Sequence, residues 1–294
     1  MAKALKVAVY WGCVIPAVQY AYEMSVREVL PKLGVEIVDL EDVSCCGMPL
    51  KSVNAFASIY LAARNMAIAE RTGLNDLLIL CSGCHLSFSE ARHFLKVDEK
   101  LRQRVGSLLS DEGLQFKGSI KIWHIIDFLH DTIGKEAIGK TLKKTLDGLK
   151  FASHYGCHTI RPSILGRVDD PEDPKKMDEL IEWLGAKSVD YPEKLDCCGS
   201  LLLLSHPDAA LTFTGLKLKA VQALGVDGLV DGCPSCQMMF DMRQKSAGAT
   251  VGAKLNLPVL YYTQLLGVAM GIENEKLGLQ LNRSSVDELL KKIP

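Results

Sequence analysis

The sequence carries no excess of charge of either sign: 34 Lys and Arg residues stand against 35 Asp and Glu, a net charge of −1, with acids and bases interspersed. Without a basic stripe there is no electrostatic footprint for nucleic acid, and without a polybasic cluster none for an anionic membrane surface. Long hydrophobic runs are missing as well. Residues 201–204 and 265–272 are among the longest, well short of the ~18 apolar residues that a bilayer span requires. The opening Met-Ala-Lys-Ala-Leu-Lys runs straight into an apolar, strand-like segment, with neither the longer apolar region nor the small-residue cleavage site of a signal peptide. A soluble, cytoplasmic chain is therefore expected. No nicotinamide or flavin fingerprint is evident, so electrons, if the chain handles them, should arrive from another protein.

What the sequence does have is cysteine. Ten occur in 294 residues, and in a reducing cytosol disulfides are a poor explanation for so many, which leaves thiolate ligation as the stronger one. They fall into two sets of five with one order: Cys13, Cys45, Cys46, Cys81 and Cys84, then Cys157, Cys197, Cys198, Cys233 and Cys236. In both sets 35 positions separate the second member of the adjacent pair from the start of the Cys-x-x-Cys. Flanking glycines keep the register, Gly12 matching Gly156, Gly47 matching Gly199 and Gly73 matching Gly225. Such self-similarity marks an internal duplication. A length change is visible between the lone cysteine and the pair, where the second copy is eight residues longer, and the loop 169–174 with its two prolines is its expected site.

With 48% hydrophobic residues, the chain can bury the cores of two moderate domains, here expected at 1–147 and 148–294, the second with a C-terminal helical tail. Each copy reads as alternating strand and helix. Strands are expected at 5–11, 35–40, 76–80 and 121–124, and again at 149–155, 187–191, 228–231 and 258–262. Helices are expected at 17–33 and 55–71, and at 175–184 and 208–224. Strands separated by helices imply right-handed crossovers, so the fold class is α/β with a mainly parallel sheet in each repeat. All the cysteines then follow C-terminal strand ends, the edge where open α/β sheets build their sites.

Four thiolates suffice for a structural zinc or an ordinary cubane. Each repeat instead offers five, two of them adjacent in sequence. Neighbouring cysteines do not easily point at one small ion but can reach different irons of a larger cluster, which favours iron–sulfur over zinc or purely structural thiols. The doubled Cys, Cys-Cys-Gly, Cys-x-x-Cys grammar resembles the cysteine-rich CCG-domain family, specifically the B subunit of heterodisulfide reductase. Cys197-Cys198-Gly199, Gly232-Cys233-Pro234-Ser235-Cys236 and His154-Tyr155-Gly156-Cys157-His158 carry the likeness most strongly.

That resemblance implies that all ten cysteines ligate two noncubane [4Fe-4S] clusters, with a thiol coenzyme disulfide, such as the CoB-CoM heterodisulfide, split between them. It also implies that electrons are donated by a ferredoxin-like iron–sulfur protein, the C subunit of such complexes, which a flavin-containing A subunit feeds in turn. The first repeat reads Cys45-Cys46-Gly47-Met48-Pro49, where the methanogen pattern tends to Cys-Cys-Pro. This leaves room for another disulfide or for the oxidative direction. Relatives acting in small-acid oxidation or sulfur metabolism share the same cysteines, and a non-catalytic relay or a zinc-stabilised scaffold is a further alternative.

Beyond the cysteines, His158 and Arg161 have no equivalents in the first repeat, which suits contact with an asymmetric anionic substrate. His85, beside Cys84, is a candidate for proton delivery. Lys51, Arg64 and His154 are weaker candidates for the cavity lining. Met238, Met239 and Met242 are expected as core fillers. Ser285 to Glu288 reads as a capping box opening a C-terminal helix.

Overall fold

The computed structural model describes residues 4–165 and 168–293; the first three residues of the opening stretch lie outside this range. The first repeat runs β1 (Leu5–Tyr10), α1 (Val14–Val18), α2 (Tyr20–Lys32), β2 (Val35–Asp39), α3 (Ala55–Arg71), β3 (Asp76–Ile79), α4 (Ser82–Val97), α5 (Glu99–Asp111), β4 (Lys121–His124), α6 (Ile125–Asp127) and α7 (Gly134–Gly139). The second runs β5 (Lys150–His154), α8 (Cys157–Ile160), α9 (Lys176–Glu182), β6 (Lys187–Ser188), α10 (Pro207–Ala223), β7 (Gly228–Asp231), α11 (Pro234–Gln237), α12 (Gln244–Thr250), β8 (Val259–Tyr261), α13 (Tyr262–Ala269) and α14 (Asp287–Leu290). Two four-stranded sheets result, ordered β2-β1-β3-β4 and β6-β5-β7-β8, with every pairing parallel. Among the described residues no helix is long and apolar enough to cross a membrane.

Strand alternation sorts side chains into two cores. Val7, Val9 and Leu78 of the first sheet, with Leu80 just past β3, share one core with Phe151, Val230 and Leu260 of the second. Their neighbours Ala8, Tyr10, Leu77 and Ile79 lie in the other, together with Ala152, Leu229, Val259 and six cysteines. The strands are thus covered on both faces, as parallel sheets require. The first core also takes Tyr22, Val26 and Val29 of α2, Met177 and Leu180 of α9, and Leu265 of α13, so the helices lying between the sheets belong to both repeats.

A pseudo-twofold relation organises this middle layer. The helix after the first strand of each repeat packs against the segment after the fourth strand of the other: α2 on α13, and α9 on α6 with the turn Phe128–Ile133 that follows it. Tyr22 and Tyr261 stack across the junction with ring centroids 3.9 Å apart and planes within 7°. The Tyr22 hydroxyl donates to the Gly232 carbonyl at 2.9 Å, and that of Tyr261 to Gln19 Oε1 at 2.8 Å. On the other side His130 bridges to Glu179 at 2.8 Å and stacks on Trp183.

Differences from the expected elements are local. The helix expected over 17–33 breaks at Gln19, whose φ of −112° and ψ of 49° leave the helical region, because its buried side chain is committed to Tyr261. The strand expected over 187–191 has only Lys187–Ser188 in the ladder. The Ser285 capping box does not form: α14 has four residues and no side-chain cap, and Leu289 is packed inward. A second length difference lies outside the cysteine sets, since the 13-residue α5 has no counterpart between β7 and β8. Of the three methionines, Met239 is fully buried, whereas Met242 is exposed and sits 3.3 Å from Gln19 Nε2.

Because one core joins both sheets, Tyr22→Ala should lower stability by about 3–5 kcal/mol, the usual cost of emptying an aromatic site. Amide hydrogen exchange should accelerate together in the strands of both sheets, whereas acceleration confined to the first would show that the repeats unfold independently.

Candidate metal centre

Each cysteine-bearing loop is held by its own repeat. Gly47 and Gly199 follow the adjacent pairs with φ of 85°, a left-handed conformation that disfavours any side chain. A Cβ there would lie 2.6 Å from the Ser58 carbonyl oxygen in one repeat and 2.6 Å from that of Ala210 in the other. The glycine of Cys-Cys-Gly is therefore needed twice over, for its dihedral and for the approach of α3 or α10. Those helices also pin the loops from behind. In the first repeat Asn65 Oδ1 accepts from Ser44 N–H at 2.8 Å, and its Nδ2 donates to the Ser44 and Cys45 carbonyls. In the second, Lys217 Nζ donates to the Lys194 and Asp196 carbonyls, both at 2.9 Å, and Thr214 Oγ1 to that of Cys198 at 2.8 Å.

The Cys-x-x-Cys segments cap helices. Cys81 is the N-cap of α4 and Cys233 that of α11, so Cys84 and Cys236 lie in first turns; hydrogen bonds with neighbouring sulfurs, together with burial, push both of these thiols well above their usual value. All ten cysteines line one cavity of about 710 Å³. None is in a disulfide. Sulfur neighbours run in sequence from Cys45 to Cys46, Cys84 and Cys81, across to Cys233, and on through Cys236, Cys198 and Cys197 to Cys157. Cys81 and Cys233 occupy the same position in the two repeats, so the sets touch at the pseudo-twofold axis. Cys13 and Cys197 are exposed and Cys45 and Cys157 half-buried, while the other six are buried.

Five sulfurs on each side of one cavity exceed what a tetrahedral ion takes, and they spread over three loops; the donor set fits a multinuclear iron–sulfur group. His154 Nε2 lies 3.2 Å from Cys236 Sγ, and His154, Cys198 and Cys236 place one ligand atom each within 4.8 Å of one another. Burial, reinforced by Lys217, lowers the His154 pKa well below its usual value, so the imidazole is neutral beside that sulfur. Burial also lowers Lys217 to about 8 despite the thiols facing it.

The other expected residues separate. His158 and Lys51 line the cavity, and Lys51 pairs with Glu90 at 2.6 Å. His85 is buried behind Cys84 and meets His124 edge to face at 5.7 Å, outside the lining. Arg161 is turned away: its guanidinium donates to the Pro171 carbonyl at 2.9 Å and reaches Glu172, anchoring the inserted loop. Arg64 is held by Glu112 and the Asp42 carbonyl. Ser82, Thr159 and Lys217 were not singled out by sequence. Ser82 Oγ and Thr159 Oγ1 hydrogen-bond across the repeats at 2.5 Å, and Ser82 approaches His124 Nε2 at 3.3 Å. The repeat alignment could have flagged Lys217, because it sets a lysine opposite Asn65.

The family model for the CCG cysteine-rich domain matches residues 7–89 and 151–241, one copy per repeat. The B subunit of a CoB-CoM heterodisulfide reductase from Methanosarcina acetivorans is 37% identical over 98% of this chain and 97% of its own. Lactate utilization protein A from Macrococcus caseolyticus is 26% identical over 85% of this chain and 93% of its own. Among solved structures, a hypothetical protein from Helicobacter pylori superposes with a TM-score of 0.78 at 19% identity, over 97% of this chain and 53% of that longer one. This last match supports the fold alone. With its doubled Cys-Cys-Gly grammar, two parallel sheets and near-complete alignment to the Methanosarcina protein, the chain belongs to the CCG cysteine-rich family of heterodisulfide reductase B subunits.

Proposed function

We propose that each set of five cysteines holds a noncubane [4Fe-4S] cluster, and that a disulfide of two thiol coenzymes is reduced, or in reverse formed, in the cavity between them. The observation that carries this reading is that all ten cysteines line one cavity, with the two sets meeting at Cys81 and Cys233. Bound there, the clusters would supply one electron each and iron positions open to sulfur. The reduction consumes two electrons and two protons and releases two thiols, so a one-electron centre facing each sulfur matches the stoichiometry.

The chain's own residues would do the rest. The Gly47 and Gly199 turns fix the cysteine loops, and the buried Cys-x-x-Cys segments keep water from the back of the site. His158, which lines the cavity, would contact substrate and pass a proton to a departing thiolate. Lys51, also in the lining, is already paired with Glu90. The positions of His85 and Arg161 favour supporting roles, behind Cys84 and at the inserted loop. Electrons would come from a ferredoxin-like iron–sulfur C subunit, itself supplied by a flavin-containing A subunit. The higher identity and coverage of the heterodisulfide reductase relative favour disulfide chemistry over small-acid oxidation.

Anaerobically purified protein should contain about eight irons per chain and little zinc; four irons and one zinc would replace the paired-cluster reading with a zinc-stabilised scaffold. Cys13→Ser and Cys157→Ser should each abolish disulfide cleavage, measured by thiol release with a chemical reductant. Near wild-type turnover in either variant would mean that one set suffices and the other is a relay or structural centre.

A further inference from the structure

The two repeats differ in charge at one buried position. Asn65 and Lys217 each lie 18 residues after the glycine of Cys-Cys-Gly, on α3 and α10, and both side chains hydrogen-bond to carbonyls just before or within the cysteine pair. The neutral amide does this work in the first repeat. The second uses an ammonium that is 1% exposed, lies 5.7 and 5.9 Å from the ring centroids of Tyr191 and Phe240, and has two carbonyls as hydrogen-bond partners. Among the described residues no carboxylate pairs with it within 4.0 Å, and its printed hydrogen bonds go to carbonyls alone. Burying an unpaired charge costs several kcal/mol where a neutral donor would serve. The negative groups acting on Lys217 are the sulfur of Cys236, the Asp196 carboxylate and the sulfurs of Cys198 and Cys197; three of the four belong to the second cysteine set.

We propose that Lys217 is an electrostatic positioning residue that sets the second five-cysteine centre at a higher reduction potential than the first, making two centres with duplicated ligands electronically unequal. This rests on the reading of the cysteines as iron–sulfur ligands. Reduction adds negative charge to a centre already surrounded by thiolates, and a fixed cation in a low-dielectric wall stabilises the reduced form most. The first centre has the Asn65 amide at that place. His154 adds to the asymmetry: its imidazole sits at Cys236, whereas Tyr10, at the matching strand position, turns its hydroxyl to the Ser44 carbonyl. An added electron therefore settles on the second side first.

The test is a spectroelectrochemical titration of the full chain, with iron counted in every sample. Lys217→Gln keeps an N–H donor and removes the charge; it should shift one of the two midpoint potentials to more negative values and leave the other in place, at unchanged iron content. Lys217→Arg should retain the wild-type value, and Asn65→Lys should move the other midpoint positive. Asp231, the buried acid at Cys233, is the same in all of these variants, so the differences report position 217 or 65 alone. Unshifted potentials in iron-replete Lys217→Gln overturn the inference and leave the cluster assignment standing. Should Lys217→Gln lose iron, Asn65→Lys decides: a positive shift supports the electrostatic role, and none overturns it. Absence of iron from the wild-type chain would instead defeat the reading of the site itself, and the inference with it.

Discussion

The structure depends on one constraint, that ten sulfurs from two halves of the chain be held close together against their own repulsion. Thiolates gathered in a partly buried cavity destabilise the apoprotein unless backbone dipoles, donors or a metal offset them. The fold meets this by pinning the adjacent pairs from behind with α3 and α10. The shared core follows from the same need. Two sheets that met only through their cysteines would be free to separate. The Tyr22–Tyr261 stack and the α2–α13 contact instead fix one repeat against the other, which determines how far apart the two sets stand.

Duplication brings the ligands, and divergence around them brings direction. Every cysteine has its counterpart, as do Gly47 and Gly199 with their identical close approaches. The residues one layer out do not repeat. Ser82, Thr159 and His124 form a polar chain on one side of the axis, where the matching positions hold Pro234, Ile15 and Tyr261. Asn65 faces Lys217 in the alignment, and Tyr10 faces His154. On the function proposed above, a symmetric pair of centres would treat the two ends of a disulfide alike, and these substitutions would let the site distinguish them.

Much of this was legible in the sequence because duplicated spacing constrains more than local propensity does. Strands 121–124 and 228–231 and helix 55–71 were placed to the residue, since each is a short apolar run or a periodic segment bounded by turn residues. The convergence of the cysteines followed from the parallel order of the strands. What escaped notice depends on tertiary partners. The break at Gln19 exists because Tyr261, 242 positions away, takes its side chain. The helices α4 and α5 lie in a stretch rich in charge and serine, with no glycine or proline signal at their junction; Asp98 caps the second by accepting from Leu101 N–H. Arg161 follows a cysteine in sequence yet points to Pro171, because the inserted loop supplies carbonyls that an arginine fork can reach.

The inserted loop also sets the two repeats apart. It stands only in the second repeat, and its backbone is organised by Asp169 and Asp170, which accept from the Lys175, Lys176, Glu172 and Asp173 amides. Arg161 ties this turn to the segment that begins at Cys157, so the loop is coupled to a ligand-bearing helix. On the first side the corresponding stretch is the short α1, which leads to the buried Gln19. The two walls of the cavity also differ in the residues they present, with Lys51 and Met48 on one and Ser200, Leu201 and Leu204 on the other. On the function proposed above, a disulfide joining two unlike thiols would match such walls better than a symmetric one, because each half would meet a different chemical surface while its sulfur faced an equivalent set of cysteines.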